Sequence, residues 1–187
     1  MILKQFQTVG KDLFTHGLVS SHSGNLSIRT GDKMIITRRG SRLGDLREQD
    51  IIETGVVRND RNTPLASVEL PVHRTIYRLT STQAIVHAHL PHAVALSMSE
   101  NEIVPNGGDG LAELGKVPII GRDMDTRPGH LGEQIAQALE NHRIVLVYGH
   151  GSFAAGQLLE EAYQYTATLE EACQVLWLVK TLNKKRL

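Results

Sequence analysis

The sequence places two histidines, His87 and His89, two residues apart in the apolar segment Ala84-Ile-Val-His-Ala-His-Leu. This composition, closed by a proline at residue 91, predicts a β-strand. Side chains two residues apart on a strand project from the same face, so the two imidazoles can bind one divalent metal ion together. A catalytic zinc site uses about three protein ligands and leaves one position open for substrate or water. We therefore expect a third ligand from another part of the chain.

His150 and Glu69 are the residues that best complete such a site. His150 stands between two glycines directly after the apolar segment Ile144-Val-Leu-Val-Tyr, and glycines allow backbone and substrate to come close. Glu69 lies in the first turn of a helix for which Ser67 is the expected N-cap, and the helix dipole favours an ionised acid there. Each residue also has a structural alternative: a hydrogen-bonded structural histidine at 150, and a capping or solvated acid at 69. Together with the histidine pair, they provide the ligand types that a divalent ion prefers.

The remaining histidines and the cysteine have weaker claims to function. His73 and His92 are expected to support the metal ligands, although His92 could equally line the pocket. The four others have no assigned role: His16, His22, His130 and His142. Cys173 is the only cysteine, so an intrachain disulfide is impossible and a reducing compartment is expected. It lies in an apolar helical pattern, where a thiol behaves as a small hydrophobic group.

Hydrophobic periodicity outlines the elements that must position these residues. Helices are predicted near residues 3–14, 46–49, 68–77, 94–98, 131–139 and 158–182. Strands are predicted near residues 26–29, 34–37, 51–53, 84–90, 117–120 and 144–148, the first two joined as a hairpin. Helices and strands are interspersed without a regular βαβ rhythm. This order favours a mixed or mostly antiparallel sheet with helices packed on it.

Composition excludes several classes of protein. The chain has 187 residues, which predicts a single domain covering 1–187. Its formal net charge is zero and it carries no basic stripe, which argues against a nucleic-acid binder. No apolar run approaches the roughly 20 residues that a membrane-spanning helix needs, and the N-terminus is unlike a secretory signal. We expect a soluble, cytoplasmic protein.

Five short motifs occur in one order along nearly the whole chain. They are Ser23-Gly-Asn-Leu-Ser27, Ile36-Thr-Arg-Arg-Gly40, Ser67-Val-Glu-Leu-Pro-Val-His73, His87-Ala-His89 and Gly149-His-Gly151. Together they resemble the class II aldolase/adducin family. The resemblance implies an α/β fold, a three-layer αβα sandwich around a mixed, largely antiparallel sheet. It also implies a homotetramer with active sites at the subunit interfaces and one Zn²⁺, or another divalent ion, per subunit.

The same resemblance implies roles for individual residues. His87, His89 and His150 match the metal ligands, and Glu69 matches the catalytic acid/base. The substrate's phosphate would be held by Gly24, Asn25, Arg39, Gly40 and Ser67, since a short glycine turn exposes backbone N–H groups to an anion. The implied reaction is the reversible aldol cleavage of a ketose 1-phosphate to dihydroxyacetone phosphate and a small aldehyde.

Departures from the family pattern concern substrate choice. Val68 stands where a second serine is usual, and Arg39 where a threonine is common; its guanidinium could bind phosphate or carboxylate, or simply face solvent. The segment Asn106-Gly-Gly-Asp-Gly-Leu lacks the family's tyrosine and offers only Asp109, while Tyr148 is expected to point into the core. The alternatives are decarboxylation, dehydration or epimerisation of a related sugar phosphate or sugar acid at the same metal site. A metal-free, adducin-like binding protein is less favoured because all the candidate ligands are present.

Overall fold

The structure is a computed structural model that describes residues 1–122 and 129–184, without the side chains of residues 183 and 184. Its helices are α1 (Ile2–Thr15), α2 (Leu70–Leu79), α3 (Pro91–Ser97), α4 (His130–Leu139) and α5 (Leu159–Lys184). Its strands are β1 (Asn25–Thr30), β2 (Lys33–Thr37), β3 (Ile51–Gly55), β4 (Ala84–Ala88), β5 (Glu102–Ile103), β6 (Val117–Ile120), β7 (Ile144–Val147) and β8 (Gly151–Gly156). None of the helices in these ranges is long and apolar enough to cross a membrane.

The strands form one sheet in the order β3-β2-β1-β4-β8-β7-β6-β5. Neighbouring strands run antiparallel, except for the parallel pair β6 and β7. β4 lies near the middle, where His87 is opposite Asn25 of β1 on one side and opposite Phe153 of β8 on the other. The residue pair expected to bind metal is therefore at the centre of the sheet's width.

Helices cover both faces of this sheet. On one face α1, α3 and α5 bury side chains such as Phe6, Leu96 and Leu169 against the strands. On the other face α2 and α4 bury Ile76 and Ile135 in a second apolar cluster. Both clusters are needed because a sheet buried on two sides must cover two apolar surfaces. The predicted three-layer αβα sandwich around a mixed, largely antiparallel sheet is confirmed, and the single-domain assignment of 1–187 stays a prediction.

The sequence patterns missed or displaced a few elements. β8, with the sequence Gly-Ser-Phe-Ala-Ala-Gly, was not predicted because its small residues carry little β-propensity. The helix expected at residues 46–49 is replaced by two 3₁₀ turns, Leu43–Asp45 and Glu48–Asp50. The glycine-rich loop at residues 106–110 leads into a single π-helical turn, Gly110–Leu114.

Candidate metal centre

His87 and His89 converge at the end of the central strand. His87 is on β4, and His89 follows it by two residues, on the same side, as strand alternation predicts. The two Nε2 atoms are 3.0 Å apart. Two unprotonated imidazole nitrogens repel each other at this distance, whereas a shared cation makes the arrangement favourable.

The turn between β7 and β8 brings His150 to the same point. Its Nε2 atom is 3.3 Å from the Nε2 atom of His87, and the ligand atoms of all three histidines lie within 4.8 Å of one another. Zn–N bonds of 2.0–2.1 Å in a tetrahedron place neighbouring nitrogens roughly 3.3 Å apart. The three side chains therefore fit one divalent ion, with a coordination position left for another group.

The tautomer of His87 suits metal binding. Its Nδ1 atom lies 2.8 Å from the backbone carbonyl oxygen of Ser152, which can only accept a hydrogen bond, so Nδ1 carries the proton. The lone pair of Nε2 then faces the other histidines. Burial lowers the pKa of His87 to about 3, which keeps the ring neutral at physiological pH. The ring of Phe153 stacks on the imidazole at a centroid distance of 4.2 Å and restricts its rotation.

Glu69 presents its carboxylate directly to these histidines. Oε1 is 3.2 Å from Nε2 of His150, Oε2 is 3.2 Å from Nε2 of His87, and Nδ2 of Asn25 donates to Oε2 at 3.0 Å. Burial by itself would raise the pKa of Glu69, but the His150 imidazole, the nearby His87 and the hydrogen bond from Asn25 outweigh it and lower the pKa to about 2. Glu69 is therefore an ionised, oriented carboxylate.

The N-cap prediction for Ser67 is wrong by two residues. α2 begins at Leu70, and Glu69 itself is the N-cap, although its carboxylate makes no capping hydrogen bond. The Ser67 hydroxyl instead accepts the backbone N–H of Glu69 at 3.3 Å. Pro71 lies at the helix start, a position where a missing N–H costs nothing. Because the carboxylate is not used for capping, it is free to reach across to the sheet.

Two glycines make the close approach of these side chains possible. A Cβ atom on Gly151 would lie 2.4 Å from the Ala88 carbonyl oxygen and 3.0 Å from Cδ2 of His89. Gly24 has a φ of +76°, and a Cβ there would lie 2.8 Å from the His87 carbonyl oxygen. Gly151 therefore leaves room for the imidazoles, and Gly24 allows the start of β1 to pack against β4.

The residues expected to hold phosphate lie at the same end of the sheet. The N–H of Arg39 donates to the Leu65 carbonyl at 3.0 Å, and the N–H of Ser67 donates to the Thr37 carbonyl at 3.1 Å. This pairing sets Arg39 and Gly40 beside Ser67, next to the start of α2. The Arg39 side chain is exposed and has no recorded partner among the described residues. Asn25, by contrast, uses its amide to hold Glu69.

Other residues singled out in the sequence lie further from the histidines. The His92 imidazole and backbone N–H contact Glu170 of α5, and its ring faces Trp177. The expectation that Tyr148 points into the core is wrong: its side chain is 39% exposed, and its ring lies 4.8 Å from the Arg122 guanidinium. Tyr148 follows β7 in the turn, and the Arg122 that its ring contacts donates to the carbonyl of Ser97 in α3 at 2.8 Å, which places this tyrosine on the α3 side.

Asp109 and the larger cavities are separate from the metal centre. Asp109 lines a cavity of about 470 Å³ against α5, together with Glu171 and Val175. Another cavity, about 570 Å³, lies at the opposite end of the strands, between Thr82, Arg143 and Tyr165. Neither is lined by a candidate ligand. Access to the metal centre is instead from the His150 side, where that side chain is 44% exposed.

Supporting residues were missed because their contacts join distant parts of the chain. Ser97 of α3 accepts the N–H of Gly149 at 2.9 Å and donates to the Val94 carbonyl at 2.7 Å. Ser152 and Phe153 act on His87 from β8, a strand that the sequence did not predict. No local pattern signals such pairings. A serine close to a predicted ligand in the sequence is at most a weak signal of a supporting hydrogen bond.

Comparisons with known proteins identify relatives of this chain. The L-fuculose phosphate aldolase of Methanocaldococcus jannaschii is 32% identical over 97% of this chain and 98% of its own length. The methylthioribulose-1-phosphate dehydratase of Acidiphilium cryptum is 31% identical, covering 89% of this chain and 85% of its own. A probable bifunctional methylthioribose-1-phosphate isomerase/methylthioribulose-1-phosphate dehydratase of Nocardia farcinica is longer; it is 27% identical, and the match covers 33% of it.

A solved structure and a family model match the fold of this chain. The crystal structure of L-fuculose-1-phosphate aldolase from Thermus thermophilus superposes with a TM-score of 0.91 at 35% identity, covering 98% of this chain and 96% of that one. The model of the class II aldolase and adducin N-terminal domain matches residues 4–177. With a match of this length, the chain belongs to the class II aldolase and adducin N-terminal domain family.

Proposed function

We propose that this protein is a metal-dependent aldehyde-lyase that reversibly cleaves a ketose 1-phosphate to dihydroxyacetone phosphate and a small aldehyde, as fuculose phosphate aldolases do. The observation that carries this proposal is the position of the Glu69 carboxylate, 3.2 Å from the Nε2 atoms of both His87 and His150. An ionised base beside three convergent imidazoles is the arrangement needed to move a proton on a carbon next to a carbonyl group.

His87, His89 and His150 would hold the divalent ion, for which we propose Zn²⁺. A bound ion there supplies Lewis-acid stabilisation of the negative charge that develops on the substrate oxygens. Glu69 moves the proton at carbon 3 of the dihydroxyacetone phosphate portion, and Asn25 holds its carboxylate in place. We further propose a cytoplasmic homotetramer whose active sites lie at subunit interfaces.

The phosphate of the substrate is proposed to bind where Arg39, Gly40 and Ser67 meet, with Gly24 and Asn25 across from them. The support is the backbone pairing of these segments and the exposed guanidinium of Arg39, which has no partner among the described residues. Charge-assisted hydrogen bonds from a guanidinium to phosphate are stronger than neutral ones. Arg39 would thereby offset the hydroxyl that Val68 cannot provide.

Dehydration of a related sugar phosphate is the second candidate. It is supported by the dehydratase relative, whose identity to this chain is nearly the same as that of the aldolase relative. It is also supported by the position of Tyr148, whose ring lies against the Arg122 guanidinium, so this tyrosine is not placed beside Glu69 to take the proton from the C4 hydroxyl during aldol cleavage. The products separate the two reactions, since only the aldolase releases dihydroxyacetone phosphate.

The proposal is tested by metal analysis followed by a substrate panel. After supplementation with Zn²⁺, the protein should hold about one ion per chain, and a panel of ketose 1-phosphates should release dihydroxyacetone phosphate, detected with a coupled dehydrogenase. Glu69→Gln should keep the ion yet turn over about 10²–10⁴-fold more slowly, the usual loss for a general base. Glu53→Gln, an exposed glutamate on β3, is the matched control. Absence of stoichiometric metal, or full activity in Glu69→Gln, would contradict the proposal.

A further inference from the structure

A column of buried polar side chains connects β1 with α2 beneath the metal centre. Asn25 and Ser27, two residues apart, lie on one face of β1. Glu69, His73 and Tyr77 are spaced four residues apart along one side of α2. We call these five residues the polar ladder. Nδ2 of Asn25 donates to Glu69, while the Ser27 hydroxyl contacts His73 Nδ1 at 2.6 Å and the Tyr77 hydroxyl at 2.7 Å.

Apolar residues would be the simpler solution for packing at these positions. Ser27, His73 and Tyr77 are fully buried, in the layer where α2 otherwise contacts the sheet through side chains such as Ile76. Buried polar groups are costly unless they are hydrogen-bonded, and they contribute little stability that apolar side chains would not. What they add is a defined geometry between helix and strand. A hydrogen bond fixes a distance and an angle, whereas apolar packing allows the helix to slide along the sheet.

The position of Glu69 makes this fixed geometry important for the site. Glu69 is the N-cap of α2, so any rotation of the helix, or sliding along its axis, moves the carboxylate relative to His87 and His150. His73 lies one turn below it, and its backbone N–H donates to the Glu69 carbonyl at 3.1 Å. A misplacement of about 1 Å at a reacting group can lower a rate by about 10²-fold.

We propose that Ser27, His73 and Tyr77 are positioning residues that set the register of α2 on β1 and thereby the position of the Glu69 carboxylate. This inference rests on the proposed function, because it treats Glu69 as the base. The Ser27 hydroxyl is the central element: it has one hydrogen and makes two hydrogen bonds, so it donates in one and accepts in the other. Burial lowers the pKa of His73 to about 4 and keeps the imidazole neutral in this chain.

The variants remove the ladder's hydrogen bonds in steps. Ser27→Ala removes both bonds at the centre, and Tyr77→Phe removes one while keeping the ring that fills the layer. Ile76→Val is the control, because Ile76 is equally buried on α2 but lies outside the ladder. Tyr77→Phe changes so little volume that it tests the ladder even if Ser27→Ala fails to fold.

The first measurement needs no substrate. Crystal structures of the zinc-loaded wild type and variants should show the Glu69 carboxylate displaced by about 0.5 Å or more from His150 in Ser27→Ala, a shift large enough to matter for catalysis. Displacement should be smaller in Tyr77→Phe and absent in Ile76→Val, with zinc content unchanged throughout. An unmoved carboxylate in both ladder variants would overturn the inference.

The second measurement follows exchange of the carbon-3 hydrogen of dihydroxyacetone phosphate with deuterium oxide. We expect Ser27→Ala to lower the maximal exchange rate at least about tenfold with KM within about twofold, Tyr77→Phe to lie between, and Ile76→Val to match wild type. Exchange at the control rate in both ladder variants overturns the positioning role. If the wild type itself exchanges no deuterium, the proposed function fails instead, and the crystallographic displacement alone decides whether the ladder positions Glu69.

Discussion

At the scale of single residues, Gly151 controls how closely the ligand imidazoles can approach. Its missing side chain leaves space against the Ala88 carbonyl and the ring carbons of His89 and His87, the last at 3.2 Å from where a Cβ would be. The Ala88 carbonyl oxygen cannot move aside without disturbing the backbone hydrogen bonds between β4 and β8. The imidazoles would have to rotate, and metal geometry tolerates little rotation.

Gly151→Ala is therefore expected to weaken zinc binding by about ten- to hundredfold, the usual effect of disturbing the surroundings of a ligand. Competition with a chromophoric chelator measures this affinity. Gly132→Ala is the control, since its Cβ would crowd Thr75, between α4 and α2 and away from the histidines. Equal zinc affinity in Gly151→Ala and wild type would show that the space at Gly151 is not needed for ligation.

The convergence of His87 and His89 is the feature of this site that follows most directly from the sequence. His87 and His89 share a face because of a two-residue period, and that rule needs no knowledge of the rest of the fold. The sequence favours Glu69 for its place at a helix start, but the low pKa of its carboxyl comes from Asn25 and the histidines. Such contacts join residues that are far apart in the chain, so no local pattern contains them.

At the scale of elements, α3 supports the turn that carries His150. The buried Ser97 hydroxyl accepts the N–H of Gly149 at 2.9 Å, so α3 fixes the turn between β7 and β8 through one hydrogen bond. Gly149 has a φ of +63°, and the Ser97 bond adds to two backbone hydrogen bonds of the same turn, from the His150 N–H to the Val147 carbonyl at 3.0 Å and from the Tyr148 N–H to the Ile120 carbonyl at 2.9 Å. The sequence did not predict β8, because its residues have low β-propensity. Without β8, the sequence could predict neither the central position of β4 nor the hydrogen bond between Ser97 and Gly149.

Ser97→Ala should lower zinc affinity by about tenfold, because the Gly149 N–H loses its partner and the His150 backbone gains freedom. Chelator competition again provides the measurement. Ser99→Ala is a matched control just beyond the same helix, where the hydroxyl bonds only to the Leu96 carbonyl at 3.3 Å and, more weakly, to the Glu100 carboxylate at 3.4 Å. A loss of affinity of the same size in both variants would point to general loosening of α3 rather than to the Gly149 contact.

At the scale of the whole molecule, α5 carries an apolar stripe that the described part of the chain leaves uncovered. Val175, Leu178 and Leu182 recur at helical spacing and are 49%, 46% and 63% exposed. Their spacing of three and four residues places them on one side of the helix. Contiguous exposed apolar surface of this kind favours association, and family resemblance implies a homotetramer. The stripe is therefore the surface at which we expect subunits to meet.

Leu178→Glu tests this expectation, because a charge within an apolar interface must be desolvated without a partner. Analytical ultracentrifugation should show a tetramer for the wild type and smaller species for the variant. Zinc content should persist, since His87, His89 and His150 belong to one chain, while turnover should fall if substrate binds between subunits. Val57→Glu, at a 70% exposed valine away from α5, should change neither property. A wild type that sediments as a monomer, or a Leu178→Glu variant that sediments as a tetramer with full activity, would rule out assembly through this stripe.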